Sequence, residues 1–288
     1  MLTLNRTSEA MVTTHVGSST GAPSAPPPIV EVLSASKTFA DGTHALAPVD
    51  LTIRDGEFLT LIGPSGCGKS TLLKLVANLI EPSDGRLVWW RGGFDQVGQD
   101  GKNLAFVFQD ATLMPWARVG ANVRLPLDLA GVPSREAEPR VAEALSRVGL
   151  DGFGNHYPRQ LSGGMRMRVS IARALVTSPN LLLMDEPFGA LDEFTRNKLD
   201  ADLLKLWWER KLTTVFVTHS IYEAVFLSTR VAVMAARPGR IYKVMNIDEP
   251  QPRDEGFRES ARFADLCREL SMWLADASLP RAAQREEG

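Results

Sequence analysis

The chain is short of cysteine, has no long apolar run and carries no excess of charge of either sign. Its 288 residues contain two cysteines, Cys67 and Cys267. Two thiols build no disulfide framework, so a reducing compartment is the default and stability must come from a packed core. No stretch approaches the roughly 20 apolar residues that cross a bilayer. Any membrane role is therefore expected to be peripheral and to depend on a partner. The N-terminus has no unbroken apolar segment of the secretory type. A formal net charge of −2 argues against a globally basic nucleic-acid binder and leaves only local patches. The hydrophobic content, 44%, is enough to fill the core of one large or two modest domains.

Composition divides the chain. Residues 1–28 are rich in Ser, Thr, Ala and Pro and end in APSAPPP. They cannot bury a core and read as a disordered N-terminal extension, with Met11 as an alternative start. From Ile29 the stretches IVEVLSASKTFA and ALAPVDLTIRDGEFLTLI alternate apolar and polar residues around turn signals, as an antiparallel strand set does. DGRLVWWRG and NLAFVFQ read as further strands, with Trp89 and Trp90 as packing residues. Residues 134–150 have apolar positions at helical spacing after a Ser134 N-cap, and 165–177 form another helix. LLLMDE, TTVFVTHS and STRVAVMAA are short apolar runs of the kind buried on both faces of a parallel sheet. TRNKLDADLLKLWWERK is amphipathic, with Leu199, Leu203, Leu206, Trp207 and Arg210 on one side. The tail, PRDEGFRESARFADLCRELSMWLADAS, reads as one amphipathic helix carrying Phe263, Leu266, Leu270 and Trp273. There is no internal repeat, so one nucleotide-binding unit is expected per chain.

That unit announces itself at residues 63–71, GPSGCGKST, between the strand FLTLI and the helix TLLKLVANLI. Strand, glycine-rich turn, Lys-Ser, helix is the phosphate-cradling P-loop in its required context. Gly63, Gly66 and Gly68 free the backbone to approach phosphate oxygens, and the N–H groups of the loop after Pro64, those of Ser65 and Cys67 among them, form an anion nest. The helix dipole adds about 0.3–1 kcal/mol, up to ~2 when partly buried. Lys69 faces the β- and γ-phosphates, the Ser70 hydroxyl is a Mg²⁺ ligand, and Thr71 continues into the helix. Cys67 occupies a variable position of the loop and is read as packing. LLLMDE ends in Asp185 and Glu186: a carboxylate at the end of a buried strand suits the Mg²⁺ shell, and the next one suits orienting or deprotonating a water.

A P-loop is shared by kinases, GTPases and helicase-like proteins. The stretch LSGGMRMRV at 161–169 narrows the choice, because it resembles the signature sequence of ATP-binding cassette (ABC) proteins. The resemblance runs from Ile29 to about Glu249, with the other family motifs in order. It implies an α/β P-loop NTPase: a RecA-like, mostly parallel sheet core, an antiparallel β-subdomain, and an α-helical signature subdomain at about 111–169. Residues 250–288 are left as a C-terminal helical tail. By the same resemblance, Gln109 reaches Mg²⁺ and the attacking water, and His219 contacts the γ-phosphate. Asp192 couples the two sites of a dimer, and Phe39 stacks on adenine where Tyr is more usual. Ser162, Gly163 and Gly164 would close on ATP bound to a second copy of the chain, in a head-to-tail homodimer. Met167 stands where the family commonly has Gln, which puts side-chain contacts just past the signature in doubt.

FQDATLMPWARVGANV, HYPRQLSGGMR and ARPGRI resemble ATPases of the nitrate/sulfonate/taurine importer group. This implies a peripheral subunit on the cytoplasmic face of the cell membrane, bound to a two-subunit permease and served indirectly by a substrate-binding protein. Trp116 is a candidate permease contact, with local packing as the competing reading. No nucleic-acid partner is implied. An ATPase of a lipid-trafficking or efflux system is the nearest alternative, and a soluble non-transport ATPase a more distant one. The solute cannot be read, since selectivity in the group lies in other subunits.

Overall fold

The computed structural model describes residues 26–89, 103–189 and 191–279. The expectations for residues 1–25 and for Trp90 lie outside the described residues. Two sheets carry the fold. Strands β1 (Pro28–Thr38), β2 (His44–Arg54) and β4 (Asp84–Trp89) form an antiparallel sheet in the order β2-β1-β4. The second sheet has six strands, ordered β5-β6-β7-β3-β8-β9. Here β5 (Leu104–Val107), β6 (Leu181–Asp185), β7 (Thr213–Thr218), β3 (Phe58–Ile62) and β8 (Arg230–Ala235) are parallel, and β9 (Arg240–Asn246) runs antiparallel to β8 at the edge.

The central strands are buried on both faces, and their side chains alternate between two cores. Leu59 and Leu61 of β3 face one core with α1 (Lys69–Val76) and the antiparallel sheet. Phe58 and Ile62 face the other, made by the remaining helices. There Phe58 meets Trp207 edge-on at 5.8 Å and Phe216 at 5.9 Å, and Phe216 meets Phe188 at 5.8 Å. Fully burying such a side chain is worth about 1.5–3 kcal/mol. Trp89 is buried as expected, and its indole N–H donates to the Val76 carbonyl at 2.9 Å.

Helices α2 (Val119–Leu129), α3 (Ser134–Arg147) and α4 (Gly163–Leu175) pack together beside the β5 edge. Ser134 is not the N-cap. Pro133, with φ −60° and ψ 145°, takes that position, because its ring fixes the φ from which the extended entry is made. Ser134 becomes the first helical residue, and its hydroxyl accepts from Arg124 at 2.9 Å. Met167 turns into the core with Val169 and Ile171.

Helix α5 (Glu193–Arg210) buries Leu199, Leu203, Leu206 and Trp207. Arg210, assigned to the same stripe, keeps its head at the surface and reaches Glu143 at 3.1 Å, as a long amphipathic side chain can. The tail is two helices rather than one. Ser260 accepts from the Phe263 amide at 3.1 Å and donates to the Phe257 carbonyl at 2.7 Å. That cap ends α7 (Glu255–Arg258) and starts α8 (Ala261–Ser278). α8 docks on α6 (Ile221–Leu227) and β8 through Phe263, Leu266 and Leu270. Arg253 pins the approach by donating to the carbonyls of Val225 and Phe226.

Asp200 of α5 is fully buried. Its Oδ2 accepts from Arg258 at 2.8 Å, while Oδ1 has no partner. Burial, reinforced by the nearby Glu223, pushes its carboxyl from 3.8 up to about 7, against the pull of Arg258 and Arg196. A folded-state value raised above the unfolded one, about 3.9, makes the folded state hold the extra proton. The associated stability is present below about pH 4 and is lost as pH rises through about 7. Asp200→Asn should therefore flatten the decline in thermal midpoint between about pH 4 and pH 7, measured by melts of both proteins in the same buffers.

Candidate active site

Four parallel strands deliver their carboxyl ends to one edge of the six-stranded sheet. β3 runs into residues 63–68, β6 ends at Asp185, β7 leads to His219, and β5 leads to Gln109. Strands β5, β6, β7 and β3 are consecutive neighbours, so these loops line one crevice, where open α/β sheets bind their ligands.

The turn after β3 has glycines where backbone geometry demands them. Gly66 and Gly68 have φ of +74° and +92°. A Cβ on Gly68 would lie 2.6 Å from Leu46 Cδ2 and 2.9 Å from the Ala45 carbonyl, and one on Gly63 would lie 2.5 Å from the Met234 carbonyl. Lys69 begins α1 and folds back over the loop, donating to the carbonyls of Gly63 at 2.9 Å and Pro64 at 3.2 Å. Ser65 stays exposed on the outside of the turn, and Thr71 lies within α1. Cys67 is fully buried, and burial pushes its thiol above the ordinary range against the pull of Lys69, so it is a packing residue with little thiolate.

Ser70 Oγ donates to Asp185 Oδ1 at 2.9 Å, which joins α1 to the end of β6. Burial raises the Asp185 carboxyl, and the Ser70 hydrogen bond opposes the rise. Glu186 follows with φ +46°, a left-handed conformation that costs a non-glycine residue about 1 kcal/mol or more. Its amide donates to Val217 of β7 at 2.9 Å, which holds the unusual turn. Across the crevice, His219 Nδ1 lies 3.4 Å from Glu186 Oε2. Gln109 is exposed just past β5.

Phe39 sits at the end of β1, half exposed, with Lys37 Nζ 5.6 Å from its ring centroid. Its hairpin joins the site through β2, since Ala45 and Leu46 press against Gly68. The Ser162–Gly164 turn is elsewhere. Ser162 caps α4 by accepting from Met165 at 3.3 Å, and Gly164 packs towards Thr195 and Leu191 of the α5 start. Asp192 caps α5 by accepting from Thr195 at 2.9 Å. Among the described residues, no hydrogen bond joins residues 162–164 to residues 63–71. Trp116 is 77% exposed and so is not a local packing residue.

Two contributors escape the motif search. Gly239 exchanges hydrogen bonds with β2, donating to Ala45 at 3.1 Å and receiving from Ala47 at 2.8 Å. A Cβ there would meet the Cys67 carbonyl at 2.3 Å, so Gly239 forms the wall behind the phosphate turn. The string ARPGRI marked this residue without indicating its contact. Glu223 of α6 is buried beneath His219, and nothing in YEAVFL distinguishes it from a solvated helix residue.

A parallel sheet whose strand-to-helix turn is bent into an anion nest defines the P-loop class of nucleoside triphosphatases. Comparison with known proteins narrows the class. A family model described as ABC transporter matches residues 46–189. An uncharacterised ABC transporter ATP-binding protein of Methanocaldococcus jannaschii is 46% identical over 82% of this chain and 86% of its own length. The aliphatic sulfonates import ATP-binding protein of Bacillus licheniformis is 46% identical over 75% of this chain and 84% of its own. Among solved structures, a dimeric post-hydrolysis ATP-binding cassette with ADP and Pi superposes with a TM-score of 0.67 at 33% identity, covering 77% of this chain and all of that one. A cassette from Clostridium perfringens, part of the cbiONQ transporter complex, gives 0.70 at 28% identity, covering 85% and 99%. The chain belongs to the ABC transporter family and is its ATP-binding, ATP-hydrolysing component.

Proposed function

We propose that this chain is the ATPase subunit of an importer for a small anionic solute of the sulfonate kind. It would work as a head-to-tail pair on the cytoplasmic face of a permease, with a substrate-binding protein acting at a distance. The observation that carries the reading is the separation of Ser162–Gly164 from the chain's own P-loop. The signature turn opens a helix, which is an anion site, yet among the described residues it makes no hydrogen bond to the chain's own P-loop. A second copy supplies a reason for it, and the solved cassettes of this likeness include dimers. The solute class rests on the aliphatic sulfonate import relatives, at 42–46% identity. The permease reading is supported by Trp116 and Phe108, large apolar residues left exposed within the stretch that resembles the importer group.

In this reading the P-loop amides and Lys69 bind the triphosphate, and Phe39 stacks on adenine. The donors Ser70 Oγ and Asp185, hard oxygens in hydrogen-bond contact, fit Mg²⁺, with Gln109 as a further oxygen donor. When bound, Mg²⁺ neutralises charge developing on the phosphates. Glu186 accepts the proton of the attacking water, and His219 holds the γ-phosphate and Glu186 in register. Asp192 lies at the pair's contact, where it links one site to the other.

Reconstitution of the purified chain with its cognate multi-span permease should stimulate ATP turnover, and adding the cognate binding protein with an alkanesulfonate should stimulate it further. Turnover raised by DNA or ribosomes, and indifferent to the permease, would remove the transport reading.

A further inference from the structure

His219 is placed by the turn it sits on and by little else. Its side chain is 57% exposed and, among the described residues, has one polar contact, the 3.4 Å approach to Glu186. What fixes the turn is therefore what fixes the ring. The turn is tied on both sides of His219 to one buried residue, Glu223, which is 3% exposed. Thr218 Oγ1 donates to Glu223 Oε2 and accepts from the Ser220 amide at 3.0 Å. Ser220 Oγ accepts from the Glu223 amide at 3.3 Å.

The other carboxylate oxygen looks the opposite way. Glu223 Oε1 forms a 3.4 Å ion pair with Arg196 Nε, a nitrogen with no hydrogen-bond partner of its own. Arg196 also donates from Nη2 to the Leu191 carbonyl at 2.8 Å, one residue before Asp192. Asp200 and Arg258 also face this cluster and are paired with each other at 2.8 Å. A continuous path thus leads from the segment after Glu186, through Arg196, Glu223 and Thr218, to the backbone on either side of His219. A buried ion pair is costly to desolvate, and an apolar pair of the same volume would often serve stability as well or better. Its use here makes sense as a device that holds two loops in one register.

We propose that Glu223, acting with Arg196 and Thr218, is a positioning residue for hydrolysis: it locks the His219 turn to the segment that joins Glu186 to Asp192. Nucleotide binding draws on the P-loop, which the network does not touch. Loosening the network should lower kcat and spare affinity. The inference rests on the role proposed above for His219, and the experiment separates the two.

The full chain is purified as wild type, Thr218→Val, Glu223→Gln, the double variant and His219→Ala. Steady-state ATP turnover is normalised to nucleotide-binding protein, and thermal midpoints are recorded in parallel. Thr218→Val keeps the side-chain shape and so guards against a Glu223 variant that folds poorly. Each of the two single network variants should lose about tenfold in kcat, the scale on which couplings between neighbouring elements act. KM for ATP should stay within about twofold, and the double variant should be no worse than the poorer single, as expected of residues acting as one unit. Wild-type kcat in both singles beside an inactive His219→Ala overturns the network alone. Wild-type kcat in His219→Ala overturns the histidine's role. Multiplying losses in the double variant, or a rise in KM equal to the fall in kcat, leaves the network as packing and also overturns the proposal.

Discussion

Glu186→Gln should lower ATP turnover by about 10²–10⁴-fold while nucleotide binding persists, the range associated with loss of general-base assistance. The substitution keeps the side chain's size and removes its charge and proton affinity. The left-handed backbone at Glu186 and the hydrogen bond its amide donates to the Val217 carbonyl are unaffected, because neither depends on the carboxylate. Ser70, Asp185 and Lys69 keep their contacts. If two copies must part before ATP can leave, the variant should accumulate as an ATP-bound pair, resolved by size-exclusion chromatography with and without ATP. Turnover at the wild-type rate would take Glu186 out of the reaction, and loss of ATP binding would show that it supports the site rather than the chemistry.

A trans arrangement of the signature turn makes a second, equally large prediction. Ser162→Arg places a long cation at the mouth of α4, where a partner's nucleotide would lie. Combined with Lys69→Ala, it yields two informative mixed dimers. When the substitutions are on different subunits, the Ser162→Arg subunit keeps an intact P-loop that faces the other subunit's intact signature, and one site works. When both are on one subunit beside a wild-type partner, every site has a damaged half. Turnover of the second mixture should fall by about 10²–10³-fold relative to the first, as when preorganised donors to a developing negative charge are removed. The reverse ranking would place Ser162 beside its own P-loop. The two mixtures contain the same substitutions, so general destabilisation cannot produce the difference.

The phosphate turn was legible because its chemistry demands particular residue types within a single short stretch. Gly63, Gly66, Gly68, Lys69 and Ser70 are neighbours in sequence because they are neighbours on one strand-to-helix turn. Asp185 and His219 were legible for a related reason, since each ends an apolar run that only a buried parallel strand explains. The Glu223 network could not be read in this way. Arg196, Thr218 and Glu223 meet because the start of α5 passes beneath the start of α6, and on an amphipathic helix a buried carboxylate is written like a solvated one. Asp200 shows the same blindness, lying fully buried between leucines of a helix whose polar positions otherwise signal surface. β9 was missed because it is an edge strand: in RIYKVMN only Met245 is buried, so it has almost no alternation to display. The break before α8 depended on one serine reaching both forward and back, a choice settled by docking on α6 and β8.

The wall behind the phosphate turn is made largely of main chain. Gly239 presents its peptide to Cys67 and Ala45, and the Met234 carbonyl backs Gly63. Peptide atoms are the same whatever side chain a position carries. Most neighbours of this wall can therefore drift in sequence without moving the nucleotide, while a single inserted or deleted residue between Met234 and Gly239 would shift the whole backing by a peptide unit. In a lineage of such proteins, the turn between β8 and β9 should be held to constant length more tightly than to constant composition.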